Sequence, residues 1–120
     1  MRKVVPMIHV PDVRATAAWY GSIGFTVERT HEDEGFMSWA LVSFGSSEVM
    51  FSEAGKTSSE FRREVDLYVH VEDVDDVYRR LQDRVDVVES PHDTFYGMRE
   101  LIIRDLNRFW ITFGQPLAGD

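Results

Sequence analysis

The chain has 120 residues, 43% hydrophobic and 12% aromatic, which suffices for one packed domain or two small modules sharing a core. It contains no cysteine, which excludes disulfide staples, thiolate metal sites and cysteine nucleophiles and fits a reducing cytoplasm. The formal net charge of −8 repels phosphate backbones, so nucleic-acid binding is not expected; it favours cationic small molecules, or simply keeps the chain soluble.

Met1-Arg2-Lys3 leads into an apolar run broken by Pro6 and His9, too short for a signal peptide or a membrane span, so the expectation is a cytoplasmic protein with no membrane partner. Val4 to Val10 alternate: Val4, Pro6, Ile8 and Val10 share one face, and Val5, Met7 and His9 share the other, which predicts a strand. Asp12 is the candidate cap of a helix whose stripe is Val13, Ala17 and Tyr20, with Gly21 and Gly24 at its end. Strand-like runs follow at Phe25–Thr30, Phe36–Phe44 and Glu48–Ser52, with His31-Glu32-Asp33-Glu34-Gly35 and Gly45-Ser46-Ser47 as turns. After the linker beginning Ala54-Gly55-Lys56, Val65 to Val71 alternate again. Asp73 is the second cap, and Val74, Val77, Tyr78 and Leu81 form the second stripe. Val85–Glu89, Met98–Arg104 and Phe109–Phe113 complete the strands, with turns at Ser90-Pro91-His92-Asp93 and Asp105-Leu106-Asn107-Arg108.

The halves repeat one phrase. His9-Val10-Pro11-Asp12-Val13 returns as His70-Val71-Glu72-Asp73-Val74, sixty-one residues later. The same offset carries Val5, Met7 and His9 onto Asp66, Tyr68 and His70. The aliphatic faces are expected to pack under the helices. The mixed faces then point away from them, where polar side chains require water or a ligand. Two strand–helix units facing each other would form a cleft.

This order, with Trp19-Tyr20 and Gly24-Phe25 in the first half and Gly97-Met98-Arg99-Glu100, Ile103-Arg104-Asp105 and Phe113-Gly114-Gln115-Pro116 in the second, resembles the vicinal oxygen chelate superfamily. That superfamily includes glyoxalase I, extradiol dioxygenases and bleomycin-resistance proteins, and the tail is most similar to the last branch. The resemblance implies an α+β fold of two βαβββ modules forming an open, mixed-sheet half-barrel cleft. Residues 1–54 would be the first module, 55–63 the linker and 64–120 the second, all within one domain. It also implies four ligand positions in metal-dependent members, which here are Val5, Met50, Asp66 and Thr112. One carboxylate and one hydroxyl do not replace the imidazoles and carboxylates that hold a divalent ion. No metal and no other cofactor is therefore expected. The turn Asp105-Leu106-Asn107-Arg108 lacks the Pro and Gly of the family pattern, which puts its geometry in question.

The candidate ligand-binding residues are His9, Phe36, Trp39, Met50, Asp66, Tyr68, His70, Phe95, Tyr96, Arg99, Trp110 and Thr112. The aromatic rings offer flat faces for stacking, and Asp66 offers a negative charge for a cation. His9 matches a substrate-contacting position of glyoxalase I; the alternative for His9 and His70 is a half-buried polar residue at a strand end. Arg99 and Glu100 either orient a polar ligand or pair with each other at the surface. Phe51, Phe109 and Phe113 are assigned to the core. The leading expectation is a metal-free binder resembling bleomycin-resistance proteins, sequestering a flat or cationic small molecule in the cleft of a homodimer. The alternatives are a superfamily enzyme of lyase, isomerase or dioxygenase type, and a structural or regulatory domain with no small ligand.

Overall fold

Asp12 and Asp73 begin the same construction twice. Each is extended at the cap, and its carboxylate accepts from the backbone N–H three residues on: Asp12 from Ala15 at 3.0 Å and Asp73 from Asp76 at 3.1 Å. The computed structural model describes residues 3–55 and 65–118. It divides into two compact units, Met1–Thr57 and Ser58–Asp120. From Lys56 onward the expected linker lies outside the described residues.

The first unit runs β1 (Met7–His9), α1 (Val13–Ser22), β2 (Thr26–Asp33), β3 (Phe36–Phe44) and β4 (Ser47–Ser52). The second runs β5 (Leu67–His70), α2 (Val74–Leu81), β6 (Asp86–Asp93), β7 (Met98–Arg104) and β8 (Trp110–Pro116). The strands form two four-stranded mixed sheets of matching order, β1-β4-β3-β2 and β5-β8-β7-β6. In each, the strand before the helix pairs in parallel with the last strand, and the remaining pairs are antiparallel. This is the α+β arrangement of two βαβββ modules that the sequence predicts.

Each helix covers one face of its sheet. Val13, Ala17 and Tyr20 of α1 are buried with Ala40, Val42 and Phe51, and the Tyr20 ring lies 4.8 Å from Phe51 and 5.2 Å from Phe25. In the second unit Val74 and Leu81 of α2 are buried, as are Val69, Leu101, Ile103, Ile111 and Phe113 of the sheet. Full burial of each aliphatic or Phe side chain contributes about 1.5–3 kcal/mol. Phe51, Phe109 and Phe113 all lie in the core, as predicted. Asp75 and Asp76 in the first turn of α2, and Arg79 and Arg80 in its last, each complement the helix dipole.

Several boundaries differ from the sequence expectation. β1 starts at Met7, not Val4, because Pro6 has no N–H to donate; its carbonyl still accepts from Met50 N at 2.8 Å. The acidic segment His31-Glu32-Asp33 is strand, not turn. The turn is only Glu34-Gly35, whose φ values of 53° and 83° suit a two-residue mirror-image hairpin turn. Ser90-Pro91-His92-Asp93 is likewise strand. Pro91 sits on the edge strand β6 where the register shifts between Glu89 and His92, so its missing N–H breaks no ladder bond. The actual turn is Thr94-Phe95-Tyr96-Gly97.

The turn before β8 keeps its shape without Pro or Gly. Buried Asp105 accepts from the N–H groups of Asn107 at 2.7 Å and Phe109 at 2.9 Å, and Arg108 takes the left-handed conformation at φ 70°. Removing the Asp105 carboxylate orphans donors in a buried turn. Asp105→Ala is expected to lower unfolding free energy by about 2–4 kcal/mol in urea titrations, because bonds to a charged acceptor and the penalty for unpaired donors add.

Candidate functional site

Because side chains alternate along a strand, the face of each sheet that its helix leaves uncovered holds a definable set of residues. In the first unit, register places His31, Trp39, Ser52 and His9 in one row across β2, β3, β4 and β1. The neighbouring row is Arg29, Leu41, Met50 and Met7. Glu32 follows His31 by ordinary alternation onto the helix face, where it pairs with Arg14, and the register shift at that point, which skips Ser38 on β3, puts Phe36 on the Trp39 face.

The second unit repeats the rows with different chemistry. His92, Glu100, Gly114 and His70 form one row across β6, β7, β8 and β5, and Glu89, Ile102, Thr112 and Tyr68 form the next. All four histidines of the chain thus sit at the outer strands of two equivalent rows. Trp39 in one unit takes the place of Glu100 in the other.

Glu100 is the chemical centre of the second face. It is only 3% exposed, and each carboxylate oxygen accepts a phenol: Tyr68 Oη donates at 2.7 Å to one and Tyr96 Oη at 2.8 Å to the other. Gly114 makes room for this. A Cβ there would meet the Tyr68 hydroxyl at 2.0 Å, so the tyrosine crosses β8 over a residue without a side chain. The Tyr68 ring also lies 5.1 Å from His70. Burial, then the bond to Glu100 and its charge, push the Tyr68 phenol well above the ordinary tyrosine range. The Tyr96 phenol is also pushed upward, with its bond to Glu100 as the main cause.

Arg99 does not join this group. It projects from the opposite face of β7 toward α2, where it binds Asp75 at 3.0 Å and Asp93 at 2.8 Å, and these two carboxylates hold its proton more tightly than usual. Arg99 and Glu100 are thus not a surface pair. Glu100 has no ion-pair partner among the described residues. The nearest arginine along its own face, Arg104, lies beside Asp86 at 3.5 Å.

The other candidates are distributed as follows. His9 is exposed, and its Nδ1 lies 2.9 Å from the Glu53 carbonyl. His70 is exposed too, so neither histidine is half-buried. Met50 is half-buried and Thr112 buried, each on its open face. Asp66 is exposed and precedes β5. Trp110 opens β8 opposite Arg104. Phe95 is 99% exposed at the tip of the β6–β7 turn, its ring 5.0 Å from Tyr96.

The donor set does not fit a metal. A thioether at Met50 and a hydroxyl at Thr112 are not hard-cation or zinc ligands, and Val5 offers none. No group of three His, Asp or Glu among the described residues is placed to hold an ion. The sequence reading does not single out His31 or His92, and offers Glu100 only together with Arg99, as a ligand-orienting residue or half of a surface pair. The sixty-one-residue offset that links His9 to His70 also links His31 to His92, and would have flagged both.

The family model described as Glyoxalase/Bleomycin resistance protein/Dioxygenase superfamily matches residues 4–113. The chain belongs to that superfamily. No curated protein sequence matches it. Among solved structures it is similar to TioX from Micromonospora sp. ML1, with 24% identity, coverage of 98% of this chain and 100% of that one, and a TM-score of 0.77. A bleomycin resistance determinant encoded on transposon Tn5 shares 15% identity over 97% of this chain and 98% of its own, with a TM-score of 0.72. A bleomycin-binding protein complexed with bleomycin shares 15% identity over 96% and 98%, with a TM-score of 0.70. At these identities the likeness is one of fold. No helix among the described residues of this superfamily member is long and apolar enough to cross a membrane.

The tyrosine pair makes two outcomes measurable. Gly114→Ala is expected to drive Tyr68 off Glu100 and return one phenol toward the ordinary range in an ultraviolet pH titration. In the unaltered chain both native and unfolded states hold the Tyr68 proton below its ordinary value of 10.0, so it adds no pH dependence there. Above that value the unfolded chain loses the proton first, and stability falls as pH rises. Denaturant midpoints measured from neutral to alkaline pH should show this fall, and it should be smaller in Tyr68→Phe.

Proposed function

We propose that this protein binds and sequesters a small planar, cationic molecule in the cytoplasm, as a homodimer, without breaking a bond in it. The observation that carries this reading is that each unit has an equivalent row: in the first an aromatic platform at Trp39 between two histidines, in the second the Glu100 carboxylate between two histidines. A flat ring stacks on the first kind of surface for about 0.5–1.5 kcal/mol beyond area burial. A positive group meets its complement at the second. The net charge of −8 draws cations toward both. The similarity in fold to a bleomycin-binding protein supports the same class of role.

An enzyme is the second reading, and His9 favours it. The Glu53 carbonyl accepts only, so the neutral His9 ring donates from Nδ1 and leaves the Nε2 lone pair free to take a proton. The two readings part on the fate of the ligand, since sequestration returns it unchanged and catalysis does not. Mass spectrometry of recovered ligand separates them.

Titration with a panel of flat antibiotics of bleomycin and anthraquinone type is expected to quench tryptophan fluorescence. Trp39→Phe should remove most of the quenching, with Trp19 and Trp110 left in place. A panel that leaves the emission unchanged would overturn the reading.

A further inference from the structure

The sequence points to Asp66 as the residue that would hold a cation, whereas the geometry points to Glu100, and we propose that the Tyr68–Glu100–Tyr96 cluster is a subsite for amidinium or guanidinium groups. This rests on the small-molecule reading above and specifies where on the second unit, and for which chemistry, it operates. A carboxylate buried without a cation is costly, and chains ordinarily pair it or replace it. Here the adjacent cation, Arg99, is on the other side of the sheet with Asp75 and Asp93, and Arg104 is beside Asp86. Glu100 lies on a face that no helix covers, and among the described residues the partners of its two oxygens are the phenols of Tyr68 and Tyr96 rather than a cation.

An ionised carboxylate has about four acceptor directions over its two oxygens. Tyr68 and Tyr96 use one on each, so both oxygens retain an acceptor direction for a ligand. A planar cation with two parallel N–H donors matches two such oxygens, and the bonds formed are charge-assisted and geometrically specific. A compact ammonium offers no such match. The two phenols differ in how firmly they are held. Tyr68 comes from β5 and crosses over Gly114 in the body of the sheet. Tyr96 belongs to the Thr94–Gly97 turn, carries the fully exposed Phe95 beside it, and is itself more than half exposed. Tyr96 is therefore the plug that the ligand displaces, and Tyr68 is the fixed wall that holds the carboxylate in place. The rings of Tyr68 and His70 then flank the planar part of the ligand.

The probes are benzamidine and benzamide, which share shape and ring and differ in charge and donor geometry. Binding is read by amide and aromatic NMR shifts of the full chain at neutral pH, with folding of each variant checked by circular dichroism. The unaltered protein is expected to prefer benzamidine by about tenfold or more. Glu100→Gln should erase the preference. Tyr96→Phe, on an exposed turn that tolerates the change, should keep or raise it, because a competing donor is gone. A preference absent from the unaltered protein, surviving in Glu100→Gln, or falling in Tyr96→Phe would overturn the assignment. The antibiotic panel fails independently. Flat antibiotics that quench tryptophan, together with no benzamidine preference in the unaltered protein, leave sequestration standing and remove this subsite. A Glu100-dependent benzamidine preference with no quenching by the panel does the reverse.

Discussion

One helix per four-stranded sheet is the constraint on which everything else depends. A helix covers one face only, and strand alternation sorts every residue onto the covered face or the open one. On the covered face the chemistry is uniform: Tyr20 among Phe25 and Phe51 in one unit, Leu101, Ile103, Ile111 and Phe113 in the other. On the open face nothing in the helix dictates composition, and there both units carry histidines and aromatics, the first with the thioethers of Met7 and Met50 and the second with the carboxylates of Glu89 and Glu100. Binding chemistry therefore varies without disturbing the core, and two copies of one scaffold can carry different surfaces.

The architecture was legible in the sequence because period and caps are local signals. Asp12 and Asp73 announce their helices, and the alternation of β3 and β7 fixes which residues face the core. The turns are less legible because a run of charge is not in itself a mark of loop. Glu34-Gly35 bends the chain by its positive φ angles, while the acidic residues before it pair normally in β2. Pro91 misled in the same way, since a proline on an edge strand costs no ladder bond.

The site was legible only in part, for a different reason. Which face a residue occupies follows from parity, and parity survives until a bulge interrupts it. Phe36 reaches the Trp39 face only because the β2–β3 register shifts between His31 and Glu32, and no sequence signal marks that shift. Arg99 and Glu100 are neighbours in the chain, so parity alone puts them on opposite faces. Their opposite charges suggested a pair, and alternation forbids it.

The divergence of the two open faces has a physical logic. Trp39 faces across to Ser52, and Glu100 to Gly114. The small residue on the last strand of each unit leaves room above the sheet. In the first unit a serine suffices, because the bulk comes from the tryptophan on its own strand. In the second the room must admit the ring of Tyr68 on its way to Glu100, and even a methyl group on β8 would block it. Glycine at residue 114 and the phenol at residue 68 are thus one device. Together they bring a phenol donor onto a buried carboxylate on the open face of the sheet. An ionised carboxylate is costly to bury unpaired and gains most when a cation arrives, which is why Glu100, rather than the packed residues around it, is proposed as the binding group.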